Sequence, residues 1–306
     1  MVLRGGPAGI RVTFLRLIFR GPDGWRAGWR FLVFFVIALV VVKAAYWCVV
    51  RATGYQEREG WSALGLLVDA GLTIAGAIIA SAVMARLEHR TLSDYGLSTV
   101  SLFRHFGSGV LWGLVASTVV LLFLVVVGVA RIDGLAGEGS ALAGPLARWA
   151  LVMLLLGLAE ELLYRAYPLF TFTRGLGFWP AAIVLSVLFG AAHLSKPHES
   201  LLDILNIALF GLFCSFTVRR TGSVWFAAGF HAMSDFADLV LYAAPNTGNG
   251  GRPLPGHLLN VSYRGPEWLT GGVCGMEASV FSLLTVLALF ALVHRLYPEV
   301  RWRPER

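Results

Sequence analysis

The chain has 306 residues, 57% of them hydrophobic and 14% charged, with a formal net charge of +7. Soluble globular proteins hold about 45–50% apolar and about 25% charged residues, so the composition excludes an ordinary soluble domain. The basic excess does not indicate nucleic acid either, because it lies in the connections between long apolar blocks rather than on one soluble face.

Residues 1–26 form a basic N-terminal segment. Within it IRVTFLRLIFR (10–20) alternates bulky apolar residues with arginine, which suits a short helix on the inner membrane surface. No small-residue cleavage site follows at signal-peptide length, so no cleaved leader is expected. Residues 27–306 read as a single helical membrane domain without an internal repeat. A bilayer crossing takes about 20 apolar residues. Eight blocks qualify, near 31–50, 62–85, 108–130, 148–169, 178–194, 201–218, 223–243 and 274–294, the fifth and sixth being short. The expected fold is all-α: a polytopic membrane protein of about eight transmembrane helices around an intramembrane polar cavity.

The connections are asymmetric in charge. Arg4, Arg11, Arg16, Arg20, Arg26 and Arg30 precede the first block, and Arg295, Arg301, Arg303 and Arg306 follow the last. Arg86, Arg90, Arg104, Arg174, Arg219 and Arg220 occupy the connections on the same side. The alternate connections and their edges hold only Arg51, Arg58, Arg131, Arg148, Lys196, Arg252 and Arg264. Excess Lys and Arg marks the cytoplasmic side. Both termini are therefore expected in the cytoplasm, with the chain integral to a membrane. High arginine, two lysines and abundant Ala and Gly match a GC-rich bacterial genome, so that membrane is expected to be a bacterial cytoplasmic membrane. Cys48, Cys214 and Cys274 each lie in or beside an apolar block and read as small buried hydrophobes, with no disulfide framework.

Three blocks carry clustered ionisable groups that call for an explanation, each costing roughly 2.5–3.5 kcal/mol at a helix centre on insertion scales. In GLAEELLYR, Glu161 and Arg165 stand at i, i+4 on one face, with Glu first, the favourable order. Glu160 points about 100° away and is left for a different task. In LFGAAHL, Phe189 and His193 are again i, i+4, beside small residues that let a neighbouring helix approach. In FAAGFHAMSDF, His231 and Asp235 share a face, so the carboxylate is expected to orient the imidazole. Singly, each has an ordinary structural explanation as a helix–helix hydrogen bond or ion pair. Six such groups left unpaired would cost on the order of 10 kcal/mol, which they escape by converging on one hydrated pocket. Such a pocket supports hydrolysis: Glu160 as general base, His193 holding water, and His231 donating to the developing oxyanion. No serine or cysteine, Ser186 and Ser234 included, sits in a persuasive nucleophile setting, so attack by water is expected. A divalent metal such as zinc, held by Glu160, His193 and His231, is the other reading, but the HExxH helix is absent. Lys43 and Asp69 carry no expected chemistry, and Glu277 and His294 read as interfacial.

EELLYR (160–165) resembles the EExxxR motif of the CPBP family of intramembrane proteases, which includes CAAX prenyl proteases and bacteriocin-processing and self-immunity proteins. FGAAH (189–193) resembles its FxxxH motif, and HAMSD (231–235) its third motif, His followed four residues on by Asn or Asp. RRTGSVWFAAGFH (219–231) resembles the lead-in to that motif. The resemblance covers a motif-bearing core at about 148–240. It implies an eight-helix membrane fold whose cavity opens towards the cytoplasm and the lipid. It also implies that Glu160 and His193 activate water, that His231 and Asp235 hold the oxyanion, and that Glu161 and Arg165 support the site. Both metal-dependent and metal-free mechanisms have been argued for the family. Asp235 departs from the easier Asn, since a carboxylate donates only when protonated. The expected activity is an intramembrane endopeptidase acting near a membrane-associated or C-terminal segment of a peptide or protein. Membrane lipid is its surroundings, nucleic acid is no partner, and the sequence leaves oligomeric state undetermined. The alternatives are a catalytically silent scaffold or immunity protein of the same family, and a proton-coupled transporter using Glu160, His193 and Asp235 as a relay.

Overall fold

The computed structural model describes residues 19–21, 24–55, 61–194 and 198–302. The expected surface helix at 10–20 lies almost wholly outside them. A two-residue ribbon, β1 (Arg20–Gly21) with β2 (Gly24–Trp25), leads into α1 (Ala27–Thr53). There follow α2 (Ala63–Leu87), α3 (Leu102–Val126), α4 (Ser140–Arg165), α5 (Tyr167–Leu176) and α6 (Phe178–His193). Next come α7 (Leu201–Thr221), α8 (Trp225–Asp235), a π-helical run over Phe236–Leu241, and α9 (Val280–Leu296). The fold is an all-α membrane fold, and each of the eight expected blocks contains a helix, though that of the eighth begins only at Val280. Among the described residues, five helical stretches are long and apolar enough to cross a membrane: α1, α2, α3, α4 with α5, and α7. α6 and α9 are shorter apolar helices.

The boundaries depart from expectation for local reasons. The fourth block begins eight residues early, at Ser140, and breaks at Ala166. Pro168 stands in the first turn of α5, where its missing N–H is harmless, and it biases Tyr167 away from continuing α4. Gly177, at φ 81°, then separates α5 from α6. The third helix ends at Val126; of the expected tail at 127–130 only Ala130 belongs to a strand, β3 (Ala130–Leu135), and the rest is turn. β3 pairs antiparallel with β4 (Leu259–Tyr263), a strand in the long connection that sequence reading leaves without a role. Side-chain oxygens of Ser62, Ser200 and Ser279 cap α2, α7 and α9.

The bundle has two distinct ends. At one, Trp225 Nε1 donates to Ser98 O and Trp302 N to Arg219 O, while Arg30 lies 3.7 Å from Glu88. This end gathers the arginine-rich connections and the chain near both termini. At the other end, Trp61 N donates to Gly248 O, Trp149 Nε1 to Pro255 O, and Asn206 Nδ2 to Glu277 O. Cys214 and Cys274 are buried as expected, whereas Cys48 is exposed; all three are free thiols.

Helix spacing in the middle is set by glycine. A Cβ on Gly157 of α4 would lie 2.8 Å from the backbone nitrogen of Ala232 in α8. One on Gly113 of α3 would lie 2.6 Å from Phe230 O. These approaches draw α3 and α4 against α8, the close small-residue packing that helices use in lipid.

Candidate active site

Glu161 and Arg165 are both fully buried, one turn apart on α4, with Arg165 Nη1 donating to Glu161 Oε1 at 3.1 Å. The guanidinium also lies over the Phe189 ring, 4.2 Å from its centroid. Two faces of an otherwise costly cation are thus covered, one by a carboxylate and one by a π-system. Neither residue lines the cavity described below.

The same Glu161 oxygen receives His231 Nδ1 at 2.9 Å. A carboxylate only accepts, so Nδ1 carries the proton. On the other side of the ring, Nε2 lies 3.5 Å from Glu160 Oε2 and 3.7 Å from Asp235 Oδ2. Both distances exceed a hydrogen bond, so Nε2 is held near two carboxylates and committed to neither. This corrects the expectation that Asp235, one turn along α8, orients His231. The orienting contact comes from Glu161, 70 residues earlier in the chain. Asp235 ends the α-helical part of the segment, just before the π-helical run.

His193 is the last residue of α6, and its Nδ1 lies 2.9 Å from Phe189 O. A carbonyl cannot donate, so Nδ1 carries a proton. Phe189 stands between the imidazoles, with ring centroids 5.0 Å from His193 and 6.0 Å from His231.

Glu160, His193, His231 and Asp235 line one cavity of about 310 Å3, within the usual range of roughly 300–1,000 Å3 for ligand sites. The cavity reaches from Glu160 and His231 to Trp61, Asn246 and Glu277, at the end of the bundle away from the arginine-rich connections. Four of the six expected site residues therefore share the cavity, and Glu161 and Arg165 brace it from behind. Sequence reading missed Trp61, Asn206, Asn246 and Glu277 in its wall. It also set aside Asp69, which lines the cavity, and it took Glu277 for an interfacial residue. No motif marks these positions, because each comes from a different segment.

The residues do not form a ready metal centre. Among the described residues, three ligand atoms from His, Cys, Asp or Glu come within 4.8 Å of one another only at Glu199, Asp203 and Cys274. Glu160, His193 and His231 do not converge in that way. Nδ1 of each imidazole is already occupied, by Phe189 O and by Glu161. No chemical step is therefore routed through a metal.

No curated protein matches the chain. Residues 142–237, from the first turn of α4 into the π-helical run, match the model of the Rce1-like family, described as type II CAAX prenyl endopeptidase Rce1-like. That stretch contains all six of the ionisable residues expected to form the site, and over it the chain is similar to this protease family.

Proposed function

We propose that the protein is an intramembrane endopeptidase in which water, activated by Glu160, attacks the scissile carbonyl. The observation that carries this reading is Glu160 Oε2 at 3.5 Å from His231 Nε2 in the same cavity as His193. Glu160 takes a proton from water while His193 Nε2 accepts a hydrogen bond from that water and fixes its direction. The tetrahedral oxyanion forms against the imidazolium of His231, whose Nε2–H donates to it while Nδ1–H remains on Glu161. Asp235 balances the imidazolium charge. Collapse breaks the C–N bond, and Glu160 returns its proton to the leaving amine. Arg165 pairs with Glu161 and holds it in place against His231. The expected substrate is a peptide or membrane-protein segment, cleaved near a membrane-associated or C-terminal stretch.

The cavity extends towards the end of the bundle away from the arginine-rich connections. With the arginine-rich end in the cytoplasm, the site faces outward, not towards the cytoplasm as the family resemblance implies. Substrates are then segments presented on the extracytoplasmic side.

The test is cleavage of a peptide library by purified full-length protein in proteoliposomes. Glu160→Gln should lower the rate by about 10²–10⁴-fold, the usual contribution of a general base. Chelator should leave cleavage by the unaltered protein unchanged. Retention of full activity in Glu160→Gln would overturn the mechanism.

A further inference from the structure

The cavity wall is one-sided in its chemistry. Asp69, Glu160, Asp235 and Glu277 bring four carboxyl groups to it against the two imidazoles of His193 and His231, and no Lys or Arg among the described residues lines it. A smaller cavity of about 60 Å3 adjoins the first through Phe210, Asp235, Glu277 and Val286, and adds the carboxyl of Asp238. Catalysis as derived above uses Glu160 and Asp235 but gives no task to Asp69 or Glu277.

Two asparagines sharpen the asymmetry. Asn206 is 5% exposed and Asn246 is 2% exposed, and both line the cavity. The amide nitrogen of Asn206 is spent on two backbone carbonyls, donating to Glu277 O at 2.8 Å and Ser279 O at 3.1 Å. That fixes the amide and leaves Oδ1 as the acceptor, and this oxygen is buried without a protein donor. Oδ1 of Asn246 is likewise buried without one. A buried acceptor left unmatched costs about 1–3 kcal/mol, so two in one wall call for a ligand rich in N–H donors. Fixed oxygens beside carboxyl groups in a partly desolvated cavity select for a cation.

We propose that Asn206, Asn246, Glu277 and Asp69 form a subsite for a basic side chain of the substrate, arginine above lysine. A guanidinium offers five N–H donors in a plane and suits several acceptors at once; an ammonium offers three. The subsite takes in the rim residues Asn246 and Glu277 of the cavity that Glu160 also lines, so the basic residue enters the same cavity as the scissile bond. This rests on the hydrolytic reading only for the word substrate; cation recognition by the wall stands on its own geometry.

The experiment uses acetylated octapeptides that differ at one position, carrying arginine or its uncharged isostere citrulline, with that position scanned along the peptide. Binding is measured by fluorescence anisotropy on full-length Glu160→Gln protein, and cleavage on the unaltered protein. At one position the arginine peptide should bind at least about tenfold more tightly, as expected for hydrogen bonds to a charged group. Glu277→Gln and Asn246→Leu should each shrink that ratio. Equal affinity for arginine and citrulline at every position overturns the proposal, and this comparison needs no further variant to fold. A preference that appears only when the peptide's terminal amine is left free overturns the side-chain assignment. Selective binding without any cleavage would leave the subsite standing and remove the protease reading. Cleavage indifferent to charge, with equal affinities, would do the reverse.

Discussion

Arg165 holds a full charge where no atom of it is accessible, and its Nε and Nη2 have no hydrogen-bond partner among the described residues. Its support is Glu161 and the Phe189 ring. Removing one member of such a pair strands the other, which typically costs about 3–5 kcal/mol. Arg165→Leu should therefore destabilise the protein by that order, read as a lower thermal midpoint in detergent. The double variant Glu161→Gln/Arg165→Met should cost less than Arg165→Leu alone, because no buried charge is left uncompensated. A single variant as stable as the parent would show that Glu161 finds another counter-charge. At this scale the sequence was partly legible. The pairs at i, i+4, Glu161 with Arg165 and Phe189 with His193, can be read directly because helical geometry links them. The Glu161–His231 bond cannot, since it joins two helices whose register only tertiary packing decides. Asn206, Asn246 and Glu277 escaped for the same reason.

Helices place these groups through backbone approach as much as through side chains. Gly157 stands one turn before Glu160 and Glu161, and the residue it abuts, Ala232, follows His231. A methyl group there must push α4 and α8 apart, moving His231 away from both carboxylates. Overpacking of this kind costs typically about 1–3 kcal/mol. Gly157→Ala should fold with a lowered midpoint and lose about tenfold or more in cleavage rate, given how steeply rate depends on geometry. Gly144→Ala, in the same helix with nothing within 4 Å of the new Cβ, should keep full activity. Equal behaviour of the two variants would refute the spacing argument. The apolar blocks themselves were legible from hydropathy, but their ends were not. Helix α4 runs outward through 140–147, and the π-helical run after Asp235 leaves no compositional trace. The β3–β4 ribbon was invisible too: ARIDGL reads as a loop until LNVSY, more than a hundred residues later, supplies its partner.

Across the whole molecule, charge and cavity are opposed. Arginines gather at one end of the bundle, and the cavity rim of Trp61, Asn246 and Glu277 belongs to the other. The outward orientation proposed above makes a labelling prediction in a background lacking Cys48. A membrane-impermeant maleimide added to intact cells should label Asn260→Cys, on the exposed rim-side ribbon, and spare Thr99→Cys at the arginine-rich end. Labelling of Thr99→Cys alone would reverse the topology and return the cavity to the cytoplasm. Charge asymmetry was legible because it accumulates over many residues. The side on which the cavity opens was not, because it depends on which halves of α2, α7 and α9 face one another.

The ribbon of Ala130–Leu135 with Leu259–Tyr263 joins a connection in the first half of the chain to one near its end. The glycine-rich turn at 248–251 lies between that second strand and the π-helical run. A proteolytic nick in this turn would cut the covalent path to α9 and yet leave the severed piece stitched to the body by five paired strand positions. A clipped molecule would thus migrate as two bands under denaturation and as one particle before it.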